Sequence, residues 1–139
     1  MYLNTGFGKT LDILHRTMGA NLLRQEVIAN NIANADTPNF KRSVVDFESG
    51  LKRALESEKE APFPTLMTDE RHMPFDRPVD YKSILPRRIT EWQVTGDNNG
   101  NNVDIEEETS NAVNQQLAYN LMVQTVTGQF NNVNLVLKG

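Results

Sequence analysis

The sequence predicts a mainly α protein, an antiparallel, coiled-coil-like pair of long N- and C-terminal helices joined by an irregular, proline-rich middle with room for a short helix and a short strand. Three observations predict it. Apolar residues recur at helical spacing over about Leu3–Ala35 and again over about Asp104–Leu137. Five of the six prolines lie between Pro62 and Pro86, where they exclude a long helix or a central strand. The stretch Ile89–Val94 has the β-branched and aromatic content of one strand. Residues 1–40 with 101–139 are therefore expected to form one discontinuous helical domain, with 41–100 as an irregular middle segment.

In the first helix Leu3, Phe7, Leu11, Leu14, Met18, Leu22, Ile28, Ala29 and Ile32 fall on one stripe at about 100° per residue. Asn34, Asp36 and Pro38 end it. In the middle, residues 46–60 allow a short helix with Phe47, Leu51 and Leu55 at i, i+4 spacing, and Asp97–Asn102 reads as a turn. The last helix opens on Asp104 and Glu107, a D-x-x-E capping pattern, with Glu106–Glu108 suited to a positive helix N-terminus. Its stripe is Ile105, Ala112, Tyr119, Met122, Val123, Val126, Phe130, Val133 and Leu137. Gly128 interrupts it and marks either close helix approach or local flexibility.

Each stripe is roughly 45–50 Å long at 1.5 Å per residue. Antiparallel pairing covers both most simply, setting Leu11, Leu14, Met18, Leu22, Ile28 and Ile32 against Met122, Val126, Phe130 and Val133. Both stripes have a polar gap, Asn21 and Gln25 in one, Gln115 and Gln116 in the other. With Asn34 facing about Asp104, Gln25 falls near Gln115. These amides either form a register-fixing polar layer or face solvent on an imperfect stripe.

Each helix is also apolar on a second side. Ile13, Ala20, Leu23 and Val27 lie opposite the first stripe, and Leu117, Leu121 and Leu135 lie on the far side of the last helix. A two-helix hairpin cannot bury both sides, so either other subunits cover them or the middle folds back over one. Ile13, Leu23, Val27, Leu117, Leu121 and Leu135 are accordingly candidate assembly residues.

Composition and motifs argue against a pocket enzyme. A hydrophobic content of 38% makes a thin core, and a net charge of −4 gives no reason to expect nucleic acid or an anionic membrane as partner. Without cysteine there is no disulfide, thiolate nucleophile or cysteine zinc site. Phosphate-binding, nucleophile-elbow and dinucleotide fingerprints are missing, and neither His15 nor His72 has metal-ligand spacing. Arg87 and Arg88 beside Trp92 make only a small basic patch. Asp97, Asn99, Asn101 and Glu108 occupy positions one, three, five and twelve of a calcium loop. Position six, however, is Asn102 where glycine is required. No catalytic group, cofactor or metal is expected. No apolar run is long enough to span a membrane, and the N-terminus lacks the pattern of a cleavable signal.

The most distinctive stretch is I-A-N-N-I-A-N-A-D-T-P-N-F-K-R, Ile28–Arg42. It closely resembles the N-terminal motif of bacterial flagellar rod and hook proteins. G-N-N-V-D-I-E-E-E, Gly100–Glu108, resembles the start of the C-terminal helix in that family, and with T-D-E-R-H-M, Thr68–Met73, it is most similar to the proximal-rod B class. Asn39 and Phe40 stand where the family usually has glycine and tyrosine; asparagine tolerates the left-handed conformation and phenylalanine keeps the ring. The resemblance implies a non-enzymatic structural subunit of the basal-body proximal rod, polymerising axially through its terminal helices as part of the drive shaft for motility. It also implies export through the flagellar type III apparatus without cleavage, residence in the periplasm-spanning rod, and contacts with copies of itself, other rod proteins, the basal adapter and the membrane ring. A cytoplasmic helical adapter or export-chaperone-like module is the alternative. Asn30, Asn31 and Asn34 share one side of the helix against their propensity. They either pair across a joint between subunits or wind the helix down into the turn at Pro38.

Overall fold

The computed structural model describes residues 5–59, 68–69, 71–72, 78–92 and 100–138. The elements run α1 (Gly6–Ala33), β1 (Ser43–Asp46), α2 (Glu48–Ser57), a 3₁₀ turn (Tyr81–Ser83), β2 (Arg87–Thr90) and α3 (Ile105–Lys138). Leu3, Gln93, Val94, Asp97–Asn99 and most of the 60–77 stretch, including parts of Thr68–Met73, lie outside the described residues.

The chain divides into two compact units, Met1–Val45 with Arg88–Gly139, and Asp46–Arg87. Residues 41–45 and 88–92, assigned from sequence to the middle segment, thus cluster with the terminal helices. In the first unit Thr5 caps α1 by accepting from Gly8 N–H at 3.1 Å. The α1–α3 pairing is antiparallel. Asn21 meets Gln115 while Asn31, ten residues further along α1, meets Glu108, seven residues earlier on α3. β1 and β2 form a short antiparallel pair, extended by the Glu91 N–H to Arg42 C=O bond of 2.9 Å. The strand expected at Ile89–Val94 is therefore displaced to Arg87–Thr90, and its partner β1 went unread because four residues carry too short a period-2 signal.

The expected polar layer exists, one turn from the expected register. Asn21 Nδ2 donates to Gln115 Oε1 at 2.7 Å, and Gln25 Nε2 donates to Asn21 Oδ1 at 3.3 Å. The buried face of α1 is Ala20, Asn21, Val27, Ile28 and Asn31. It is turned by about 100°, one residue step, from the predicted stripe. Leu22, expected in the helix pair, is half exposed, whereas Leu11, Leu14, Met18 and Ile32 are partly buried beside Ile28. The reason is β1. Arg24 donates to Val45 C=O at 3.2 Å, and Asn31 bonds Ser43, so residues 43–45 cover the side of α1 that the sequence left open. The fold-back alternative is realised on α1.

α3 has one covered and one open side. Glu108, Asn111, Ala112, Gln115, Tyr119, Met122, Val126 and Gln129 are buried or half buried at i, i+3, i+4 spacing. Phe130 and Val133, expected in the helix pair, are 52% and 38% exposed, and every described residue from Asn131 to Lys138 is exposed. The register explains this. By extrapolation α1 ends opposite about residue 130 of α3, so the last two turns have no α1 beside them.

In the second unit Phe47, Leu51, Ala54 and Tyr81 are the buried apolar residues among those described. α2 lies within the helix expected at 46–60, and Ser57 Oγ accepts from Val79 N–H at 3.0 Å.

A methyl group at Gly128 would meet nothing within 4 Å. Gly128→Ala should therefore stabilise the isolated chain by about 1 kcal/mol through helix propensity alone, read as a rise in Tm.

Candidate assembly site

The two motifs distant in sequence, Ile28–Arg42 and Gly100–Glu108, meet in space. α1 unwinds after Ala33 through successive turns, Ala35 N–H to Ile32 C=O and Thr37 N–H to Asn34 C=O. Asn101, fully buried, faces this turn. The two hydrogens of its Nδ2 are shared among the carbonyls of Ala35, Asn34 and Thr37, the last two of which also accept main-chain N–H groups, and its Oδ1 accepts from Val103 N–H at 2.8 Å. Asn39 takes the left-handed conformation at φ 58°, the one non-glycine residue with positive φ among those described. Gly100, at φ 78°, lies so close that a Cβ there would sit 2.6 Å from Asn39 Oδ1. Lys41 Nζ donates to Gly100 C=O at 2.8 Å and closes this corner.

Arg42 is the hub. Its Nε donates to Glu108 Oε1 at 2.6 Å and its Nη2 to Glu107 Oε1 at 2.8 Å, while Nη1 lies 3.7 Å from Glu91 Oε2. Its main-chain N–H donates to Asn102 Oδ1 at 2.6 Å. Glu108 is 1% exposed, and its second oxygen accepts from Asn31 Nδ2 at 3.1 Å. Asn31 also bonds Ser43 reciprocally, Nδ2 to the carbonyl at 2.8 Å and Oδ1 from the N–H at 3.0 Å, as a strand residue would. Asn102 Nδ2 reaches Glu91 C=O at 2.8 Å. Among the described residues no buried side-chain polar atom lacks a partner, so the network meets the condition under which buried charge is tolerated. Desolvation lowers the Arg42 pKa, but the charges of Glu108 and Glu107 and their hydrogen bonds outweigh it, and the net shift is upward. Stabilisation from that shift is fully present below the ordinary guanidinium pKa. It is lost only above the raised value, far on the alkaline side.

Of the asparagine cluster Asn31 is turned inward, whereas Asn30 is exposed and Asn34 half buried. Asn31 is 1% exposed inside the chain, so it faces no neighbouring subunit. Asn34 Nδ2 donates to Asn30 C=O at 2.8 Å and Asn30 Oδ1 accepts from Arg88 Nη2 at 3.2 Å, both within one chain. Val27, expected outside, is 2% exposed, covered on the β1 side of α1; Ile13 and Leu23 are half buried. The remaining expected assembly residues lie in the open. Leu117, Leu121 and Leu135 are 57%, 63% and 76% exposed, and with Val113 they line one seam of α3 opposite its contact with α1.

The sequence alone did not bring Asn101, Asn102, Ser43, Arg42, Glu107 and Glu108 together as one network. Glu107 was read as half of a capping box. Instead Asp104 Oδ1 alone caps α3, accepting from Glu106 N–H at 2.8 Å and Glu107 N–H at 3.2 Å. One signal was available, an arginine closing one motif and an acidic triplet closing the other. Asn101 and Glu108 of the partial calcium loop are both engaged in these protein contacts.

Replacing Arg42 by Met should destabilise the chain by about 3 kcal/mol or more in urea unfolding, because Glu108 is left buried and unpaired. Adding Glu108→Gln to that variant should recover most of the loss. Gly100→Ala should cost at least about 1 kcal/mol, through the left-handed backbone and the contact with Asn39.

Comparison with known proteins places these observations. A family profile described as flagella basal body rod protein matches residues 11–41, which covers most of α1 and the turn capped by Asn101. The flagellar basal body rod protein FlgB of Borreliella burgdorferi is 39% identical over 132 residues, 95% of this chain and 98% of that protein. FlgB of Bacillus subtilis is 33% identical over 133 residues, 96% of each. FlgB of Escherichia coli is 33% identical over 117 residues, 83% of each. Identity at this level along nearly the whole of both chains leaves one assignment: the chain belongs to the FlgB family of flagellar basal body rod proteins.

Proposed function

We propose that this chain is a structural subunit of the bacterial flagellar basal-body rod, at its proximal end, and that it polymerises axially through its paired terminal helices. The observation that carries the reading is the open seam of α3. Val113, Leu117, Leu121 and Leu135 present apolar surface on the side away from α1, and among the described residues no helix lies beside the last two turns. Val113, Leu117 and Leu121 stand one turn apart, and exposed apolar surface of this kind is a mark of a protein interface. The family's name supports a rod subunit over a cytoplasmic helical adapter or export-chaperone-like module.

In this reading the Arg42 network has a mechanical role. It sets the register of α1 and α3 near one end of the pair, so the seam is displayed in one fixed orientation. Neighbouring copies and other rod proteins cover the seam; the basal adapter and membrane ring are contacts at the rod base. Export through the flagellar type III apparatus without cleavage completes the proposal. No helix among the described residues is long and apolar enough to cross a membrane. The role requires no catalysis.

The test is Leu121→Asp. Helicity by circular dichroism should be unchanged, because Leu121 touches solvent in the single chain. Recovery of the variant in purified basal bodies should fall by roughly tenfold or more, as expected for a central interface residue, and motility should fall with it. Normal incorporation would remove the seam from the assembly surface.

A further inference from the structure

Within residues 46–87, α2 and the segment from Val79 to Arg87 enclose a cleft of about 480 Å³. Phe47, Ala54, Ile84 and Leu85 give it an apolar lining, and Arg53 and Arg87 stand in its wall. Neither arginine pairs with a carboxylate among the described residues. Asp46, the acid in the lining, accepts from the Ser49 hydroxyl. An apolar slot flanked by two uncompensated cations fits an apolar side chain set between carboxylates.

The chain itself displays such a group. At the start of α3, Asp104, Ile105 and Glu106 are consecutive and exposed, and neither carboxylate enters an ion pair among the described residues. The Glu107 and Glu108 carboxylates behind them are held by Arg42. Slot and insert are different surfaces of one sequence, so their union between copies is head-to-tail, the kind of contact from which rings and helical filaments are built. We propose that the cleft receives the first turn of α3 from a second copy of this chain, with Ile105 entering the apolar lining and Asp104 and Glu106 facing Arg53 and Arg87. The inference rests on the rod-subunit reading and names one of its contacts.

The absence of native cysteine makes the test clean. Full-length chains carrying Leu85→Cys and, separately, Thr109→Cys are mixed and treated with a short bismaleimide. A covalent dimer joining the two differently tagged chains is expected, and a Leu85→Cys with Leu135→Cys mixture should not yield it. Adding Arg53→Glu and Arg87→Glu to the first chain should lower the cross-linked fraction about tenfold, since like charges then face each other. Glu106→Arg in the second chain should restore part of it. No mixed dimer, or a yield indifferent to charge reversal, would each overturn the proposal. The same pairs read in purified basal bodies separate the two claims. Absence of the chain from basal bodies sinks the rod-subunit reading, whereas its presence there without the 85–109 cross-link sinks only the cleft contact.

Discussion

The ion pair between Arg42 and Glu108 is the constraint on which the first unit of this protein depends. Glu108 has almost no access to water, and its charge is tolerable only because a guanidinium and the Asn31 amide complete its hydrogen bonds. Arg42 follows α1 and lies beside β1; Glu108 sits in the first turn of α3. Satisfying one buried carboxylate therefore fixes three separate stretches of chain together. Asn31 adds a fourth link by treating Ser43 as a neighbouring strand would. An apolar joint of similar size would slide more easily, because dispersion contacts have little directional preference, whereas this one loses hydrogen bonds with any shift of register.

The polar joint also changes what the apolar residues do. Among the described residues the buried set of the first unit is small: Ala20, Val27, Ile28, Ala35, Val45 and Val103, interleaved with Asn21, Asn31, Ser43, Asn101 and Glu108. Much of the large apolar surface of α3 is consequently still exposed in the single chain. A protein that had to be stable alone would place those leucines inside. One built to assemble gains from holding its geometry with polar contacts and leaving its apolar surface for neighbours, at the cost of a thin intramolecular core.

The turn between α1 and β1 shows how one asparagine can replace a run of backbone pairing. After Ala33 the chain makes several tight turns, and a single buried amide, Asn101, donates into the group of carbonyls they bring together, those of Asn34, Ala35 and Thr37. The neighbouring left-handed residues Asn39 and Gly100 pack against each other, so the backbone conformations on both sides of the joint are mutually dependent. The family profile ends in this turn, at residue 41, where the chain passes into Arg42 and the network.

The sequence by itself determined the two long helices, their antiparallel pairing, the short helix α2 and the family. Each rests on signals local to a few turns: apolar period, caps, prolines, and a fifteen-residue motif quoted as it stands. It also marked Leu117, Leu121 and Leu135 as facing away from the partner helix, because residues on one side of a regular helix keep their relative angles whatever the helix meets. Only the tertiary structure decided which side of α1 is buried. That choice depends on β1, which contributes Ser43 and Val45 from outside the helix and turns the covered face by one residue step from the apolar stripe toward Val27 and Asn31. The Arg42–Glu108 pair was equally out of reach. Sixty-six positions separate its partners, and charge in a sequence looks like a solvated face until the fold removes the water around it.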